Sequence, residues 1–344
     1  MSEELGVAVL GTGWVSGEHI KAFEANPHTR VVALLSRDRA RAEAKVREHG
    51  LADCRACTTL EEVLADERVR IVSICTPHHL HVEQGVACAR AGRHILVEKP
   101  VALDLEGLRA LAAAVREAGV KSLASFVLRW NPLFETIRTL LADGMLGELF
   151  LAETGYLSGI ADWYSGYEWI RRKRYGGSNL LSAGCHAVDA LRWFVQDEVV
   201  EVFSYSNTGP GNRLGYEYDT NSVTLLKFAG GCVGKVSCSI EAAAPYQFPI
   251  VLMGTGGTLR NNELWTSRWP GQTGWVKIPT VLPDTAEVTH HPFEAEINHF
   301  VECIRQDRES HCNMADTVRT HEICLAADLS AREGRPVKLP LGEE

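Results

Sequence analysis

The sequence predicts an α/β protein in two parts: a doubly wound parallel sheet, then an α+β domain with a mostly antiparallel sheet. Three observations predict it. Buried-looking strands and amphipathic helices alternate through about the first 125 residues. That alternation stops after Phe126. From there to Trp275 the apolar runs are short, mostly alternating, and separated by glycines. The domains read this way are 1–125 and 126–344, with the last helix able to pack back on the first domain. A chain of 344 residues is long enough for two cores.

Gly6-Val7-Ala8-Val9-Leu10 reads as a buried strand, and Gly11-Thr12-Gly13-Trp14-Val15-Ser16-Gly17 as a glycine turn opening a helix. In that context Gly11 permits the tight turn and Gly13 lets the backbone approach a pyrophosphate, with Trp14 and Val15 beginning the helix beside it. The third glycine is displaced, and Ser16 stands in its place. A second strand ends in Ser36-Arg37-Asp38, where an acidic residue ordinarily holds the ribose of NAD. Serine and arginine suit a 2′-phosphate, which favours NADP. NAD stays open if Arg37 stacks on adenine and Asp38 reaches the ribose.

A charged helix over 39–49 stops at Gly50, and Thr59-x-x-Glu62 reads as a capping box. A third strand over 71–75 runs into Thr76-Pro77-His78-His79-Leu80-His81. No carboxylate or cysteine stands at ligand spacing, so the three histidines are read as helix-start and cleft-lining residues and no metal is assigned, while Thr76, Pro77 and His81, with Glu98 and Lys99 further on, are expected to touch the dinucleotide. The next helix closes at Gly92, and the strand His94-Ile95-Leu96-Val97 ends abruptly on Glu98-Lys99-Pro100. Such a strand has no packing reason to finish on a lysine, so Lys99 is placed in a cleft at the carboxyl end of the sheet. Asp104 caps a helix that ends at Gly119, and 121–127 reads as a further strand.

In the second half, Asn131-Pro132 starts a helix, and strands are expected over 199–206, 222–228, 232–240, 249–253 and 257–261, with helices over 293–304 and 317–333. Gly176-Gly177 leads to a helix carrying His186 and Asp189 on one face. Arg129, Trp130, Tyr156, Trp163 and Trp169 offer flat faces and donors for a small polar ligand, and Arg172 lies in the basic run Arg171-Arg172-Lys173-Arg174.

The net charge of -9 argues against a nucleic-acid or anionic-membrane partner. No apolar segment reaches membrane-spanning length, and the first is too short for a signal-peptide core, so the expected location is the cytoplasm. Most of the ten cysteines lie in apolar patterns and are read as reduced thiols.

The strand-glycine opening, Thr76-Pro77 with His81, Glu98-Lys99-Pro100, the turn from Gly144 to Glu148 and Gly176-Gly177 leading to Gly184-x-His186-x-x-Asp189 together resemble the Gfo/Idh/MocA oxidoreductases, named for glucose-fructose oxidoreductase and inositol dehydrogenase. The resemblance implies a Rossmann domain, and a second domain whose open sheet face commonly mediates homodimers or homotetramers. It also implies hydride exchange between a nicotinamide and a carbon of a sugar, glycoside or polyol, with Lys99 near the reacting oxygen and His186 as general base or acid. In one departure, the family often has an aspartate four residues before this histidine, where this chain has Ser182. Asp189 or another group must then orient His186, or Lys99 must carry more of the proton transfer. A redox-neutral glycosidase, with transient oxidation at C3, is a second expectation, and a non-catalytic dinucleotide or sugar sensor a third.

Overall fold

The computed structural model describes residues 4–283 and 291–342. The chain divides into two compact units, Met1–Phe126 with Pro292–Arg319, and Val127–His291 with Thr320–Glu344.

The first unit holds a six-stranded parallel sheet: β1 (Leu5–Leu10), β2 (Thr29–Leu35), β3 (Arg55–Cys57), β4 (Val69–Ile74), β5 (His94–Val97) and β6 (Ser122–Ala124). Their order is β3-β2-β1-β4-β5-β6. The direction of winding reverses between β1 and β4, so the crevice at their carboxyl ends is where this architecture receives ligands. Helices α1 (Trp14–Ala25), α2 (Arg39–Glu48), α3 (Leu60–Leu64), α4 (His81–Arg90) and α5 (Leu105–Ala118) cover the sheet, which is why Val7 to Leu10 of β1 are wholly buried and apolar. Side chains of Asp38, Thr59 and Asp104 cap α2, α3 and α5. Gly50, Gly92 and Gly119 take positive φ just beyond helix ends.

The expected strand over 121–127 is shorter than the apolar run. After β6 the chain turns into a 3-10 segment, Val127–Trp130, with all four residues buried. Its Arg129 is drawn inward by an ion pair described below.

In the second unit, β7 (Leu149–Leu157), β8 (Val199–Asn207), β9 (Asn221–Phe228), β10 (Val233–Ser239), β11 (Ile250–Gly254), β12 (Gly257–Arg260), β13 (Glu263–Thr266), β14 (Val276–Lys277) and β15 (Val337–Lys338) form one sheet. Its order is β14-β13-β12-β11-β7-β10-β9-β8-β15, antiparallel throughout except where β7 meets β10. Burial alternates strictly along β9, so one face meets the core and the other exposes Tyr205, Val223, Leu225 and Val233. Helices α6 (Pro132–Ala142), α7 (Tyr167–Ile170), α8 (Lys173–Gly176) and α9 (Cys185–Val195) belong here. A π-helical turn, Leu180–Gly184, precedes α9. A Cβ on Gly184 would lie 2.9 Å from the Cys238 sulfur of β10, so glycine lets this helix start press on the sheet.

The helix α10 (Phe293–Arg305) counts with the first unit, where Phe293 meets Trp14 edge-on and Asn298 accepts from Asn26. The last helix, α11 (Met314–Glu333), begins in the first unit and ends in the second. Among the described residues no helix is long and apolar enough to cross a membrane.

Candidate active site

In the first unit the expected residues gather where strands end. Gly11 has φ +110°, and a Cβ there would lie 2.5 Å from the Cys75 carbonyl, so only glycine fits. Gly13 is the N-cap of α1, and a Cβ on it would meet nothing within 4 Å. The amides opening α1 are therefore accessible to an anionic group, and the cradle fits a dinucleotide pyrophosphate. Ser16 is buried and its hydroxyl donates to the Gly13 carbonyl (2.7 Å), so it serves as the small third residue of the turn. Trp14 is exposed and Val15 half-buried.

Beyond β2, Ser36 is half-buried and Arg37 exposed. Asp38 spends one carboxylate oxygen on the Ala40 amide as the cap of α2. Thr76, half-buried with Pro77 beyond β4, donates its hydroxyl to Gln84 (2.6 Å).

The segment around Lys99 is held from both sides. Glu98 is buried; one oxygen meets His19 Nε2 at 3.1 Å, and the other accepts the Lys99 amide at 3.2 Å. His19, wholly buried on α1, reaches the Ser73 hydroxyl at 2.7 Å through Nδ1. Burial opposes protonation of His19, yet the Cys75 sulfur and the Glu98 carboxylate outweigh it and raise its pKa well above the ordinary value. Burial likewise works against the Glu98 charge, and the His19 bond, the His19 charge and Lys99 overcome it, leaving its pKa lowered. On the other side His81 is buried, with Nδ1 2.8 Å from the Pro100 carbonyl and Nε2 2.7 Å from the Thr76 carbonyl. Burial lowers the His81 pKa, and the two carbonyls offset part of that.

Two expectations are corrected here. Glu98 and His81, expected to touch a cofactor, have their polar atoms turned into the protein, because each bonds the backbone or a buried partner on both sides. They shape the Lys99 segment instead. The sequence reading missed His19; the signal was its place with Ser16, Ile20 and Phe23 on the buried face of α1.

In the second unit Arg129 and Asp189 form a bidentate pair at 2.7 and 2.6 Å, with side chains 1 and 3% exposed. Thr320 donates to the same carboxylate, and Arg129 lies 4.6 Å over the Trp193 ring. Both assignments are thereby corrected. Arg129 turns Nε and one terminal nitrogen to Asp189 rather than to a ligand, and the Asp189 carboxylate is taken up by Arg129 and Thr320 rather than by His186. Trp130, expected at the ligand, is buried among core residues.

His186, 5% exposed at the start of α9, stacks on Tyr156 with centroids 6.2 Å apart and planes at 16°. Tyr246 lies 4.9 Å from Tyr156, and His291 meets His186 edge-on at 6.3 Å. Burial pushes the Tyr156 phenol up, so it remains neutral. Ser182 is buried in the π turn, near the Asn179 carbonyl (3.5 Å). Tyr246 and His291 escaped the sequence reading, since they lie 60 and 105 positions from His186 with no local pattern to mark them. Trp169 and Arg172 line a groove with Glu168, Arg174, Tyr175 and Glu217, where Arg172 pairs with Glu217 at 2.8 Å. Trp163 is exposed, its indole N–H donating to the Gly159 carbonyl.

A doubly wound sheet with a glycine cradle at its first helix defines a dinucleotide-binding protein. More narrowly, the chain belongs to the GFO/IDH/MocA oxidoreductase family: residues 5–126 match its NAD-binding Rossmann fold and residues 134–260 its C-terminal domain. An uncharacterized oxidoreductase of Synechocystis is 33% identical over 56% of this chain; the match covers 52% of that protein, about half its length. D-apiose dehydrogenase of Paraburkholderia graminis is 28% identical over 96% of this chain and 89% of its own. GenD2 from gentamicin A biosynthesis, solved in complex with NAD, superimposes with TM-score 0.84 at 28% identity, covering 99% of this chain and 97% of that one.

Proposed function

We propose that the protein is a nicotinamide-dependent oxidoreductase that moves a hydride to or from a carbinol or carbonyl carbon of a sugar, glycoside or polyol. The observation that carries this reading is His186, an imidazole fixed flat on an aromatic wall at a helix start, in a chain whose other unit carries the dinucleotide cradle. The sugar dehydrogenase among its relatives supports the substrate class.

Gly11 and Gly13 with Trp14 and Val15, Ser36 and Arg37, and Thr76 and Pro77 would hold the dinucleotide. When bound, its nicotinamide accepts or returns the hydride. Among the described residues the Arg37 guanidinium is engaged by no other group, which supports NADP over NAD. In the oxidative direction His186 takes the hydroxyl proton, and Lys99 supplies positive charge to the oxygen as it becomes anionic. Ten free cysteines suit a reducing compartment, and we read the enzyme as cytoplasmic. The apolar face bearing Tyr205, Val223, Leu225 and Val233 is read as covered by a second copy of the chain, and no nucleic-acid or membrane partner is assigned.

The test is an assay over sugars, polyols and chromogenic glycosides with NAD and NADP in parallel, following reduced nicotinamide and released aglycone together. Reduced cofactor in proportion to substrate is expected; aglycone release without it replaces this reading with redox-neutral glycoside cleavage. Lys99→Ala and His186→Ala are each expected to lower turnover at least ~100-fold with cofactor affinity within a few fold. Arg37→Ala is expected to cut the preference for NADP about tenfold, read from the ratio of kcat/KM values.

A further inference from the structure

We propose that Glu296 is a positioning residue for Lys99: it holds a proton beside Glu98, so that the negative charge of the two carboxyls stays on Glu98, where it meets His19 and the Lys99 amide. The inference rests on the reading of Lys99 given above and deepens it.

All of these residues lie in the first unit. Glu296 stands in the first turn of α10 and is 0% exposed. An ionised carboxylate buried this deeply requires donors on both oxygens. The Ser125 hydroxyl lies 3.0 Å from Oε2, but Oε1 is buried with no hydrogen-bond partner among the described residues. The same hydroxyl also bonds the Glu98 carboxyl. A hydroxyl has one hydrogen to give, so between two ionised carboxylates it would always turn a bare lone pair to one of them. Ser125 serves both only if one carboxyl brings a proton of its own.

Glu98 is placed to stay ionised. Its Oε1 meets His19 Nε2 at 3.1 Å and its Oε2 accepts the Lys99 amide at 3.2 Å. The proton therefore falls to Glu296. Burial is the first cause that pushes the Glu296 pKa up to about 8, with His19 opposing and the Glu98 charge adding to it.

This arrangement links α10 to the lysine. Glu98 directly precedes Lys99, and the Ser125 amide donates to the Val97 carbonyl at the end of β5 (2.9 Å). Phe293, three residues before Glu296, packs its ring 5.3 Å from that of His19. One helix end thus touches His19 directly and Glu98 through Ser125. When Glu296 ionises, a second buried negative charge competes for the Ser125 hydrogen and for His19, and the hold of Glu98 on the Lys99 amide weakens. The titratable and charged groups facing the cluster are His19 on α1, Cys75 after β4, and Glu98 and Lys99 after β5, with Ser73 bonded to His19. His19 also has a raised pKa, so a variant at Glu296 is needed to separate the two titrations.

The experiment follows the Lys99 amide by NMR from about pH 6 to 10 in the whole chain labelled with nitrogen-15 lysine. It compares the native protein with Glu296→Gln, which keeps the neutral shape and a donor. This readout requires no substrate. The native amide is expected to shift with a midpoint at about 8, together with loss of an un-ionised carboxyl band in the infrared, and both changes are expected to be missing in Glu296→Gln. Turnover on the best substrate of the assay above is measured alongside, with Glu296→Ala and Ser125→Ala added. Both alanine variants are expected to lower kcat ~10-fold with KM within about threefold, and Glu296→Gln to restore at least about a third of native kcat at neutral pH. The alkaline limb of the kcat profile is expected to move up by at least ~1 pH unit in Glu296→Gln. A Lys99 amide that titrates identically in the native protein and Glu296→Gln overturns the proposal, as does an alkaline limb common to both. Lys99→Ala separates the two readings: if it is fully active, the role of Lys99 itself falls, whereas an inactive Lys99→Ala beside an amide indifferent to Glu296 removes this proposal alone.

Discussion

A buried acid–base pair lies in each unit, and the two are built differently. Arg129–Asp189 in the second unit joins a permanent cation to a carboxylate through two short parallel bonds, with Thr320 closing a further acceptor site. His19–Glu98 in the first unit joins a group that can give up its proton to a carboxylate through one bond of 3.1 Å. Guanidinium stays charged at every physiological pH, so the first pair acts as a fixed brace. Imidazole does not, so the second pair holds the Lys99 segment only while its proton is in place. Burial alone therefore does not tell what an ion pair does; the proton affinity of the basic partner decides.

The largest expected effect breaks the brace. Arg129→Met leaves Asp189 charged and buried, and should cost about 3–5 kcal/mol of stability, read from urea denaturation. Adding Asp189→Leu should recover most of it, because the pair as a whole nearly balances its own desolvation. A single variant of native stability would show that the carboxylate finds other partners.

Glu98→Gln acts on the second pair and should cost about 1.5–3 kcal/mol, the range for a hydrogen bond to a charged group. Its pH dependence follows from the shift directions. His19 has a raised pKa in the folded protein, so its contribution is complete below the ordinary value of 6.5 and is lost as pH rises through the folded value. The Glu98 pKa is lowered, so its contribution is complete above 4.5 and is lost as pH falls through the folded value. The native-minus-variant difference should be greatest between about pH 4.5 and 6.5 and shrink on either side; a difference flat from pH 3 to 9 would deny the pair its proton.

The smallest expected effect lies beside that pair. Glu296 on α10 is buried, accepts from the Ser125 hydroxyl at 3.0 Å, and has its pKa pushed up to about 8, first by burial. A raised carboxyl favours the folded state below 4.5 and loses that advantage as pH climbs to about 8. Glu296→Gln keeps the neutral shape, so it should match the native protein at low pH and exceed it by at least ~1 kcal/mol above pH 8. Equal stability at both ends would mean that Glu296 finds compensation when ionised.

The same contrast explains what the sequence made legible. Gly11, Gly13 and Ser16 were readable because a strand, a glycine turn and a helix follow one another within a few residues, and backbone sterics permit few alternatives. The alternation along β9 was readable for the same local reason. Arg129–Asp189 spans 60 positions and His19–Glu98 spans 79. Nothing local marks such partners, so Arg129 read as ligand-facing and Asp189 as the group orienting His186, when each neutralises the other. The π turn before α9 was also invisible, since its residues satisfy ordinary helical preferences, and its signal lies in how Gly184 meets Cys238.

His81 both begins α4 and ties the Thr76 carbonyl to the Pro100 carbonyl. The segment from Thr76 to His81 is thus pinned at both ends, so its residues can be exchanged but their number cannot. Side chains there can be varied, whereas inserting or deleting one residue would unfasten His81 from the Pro100 carbonyl that follows Lys99.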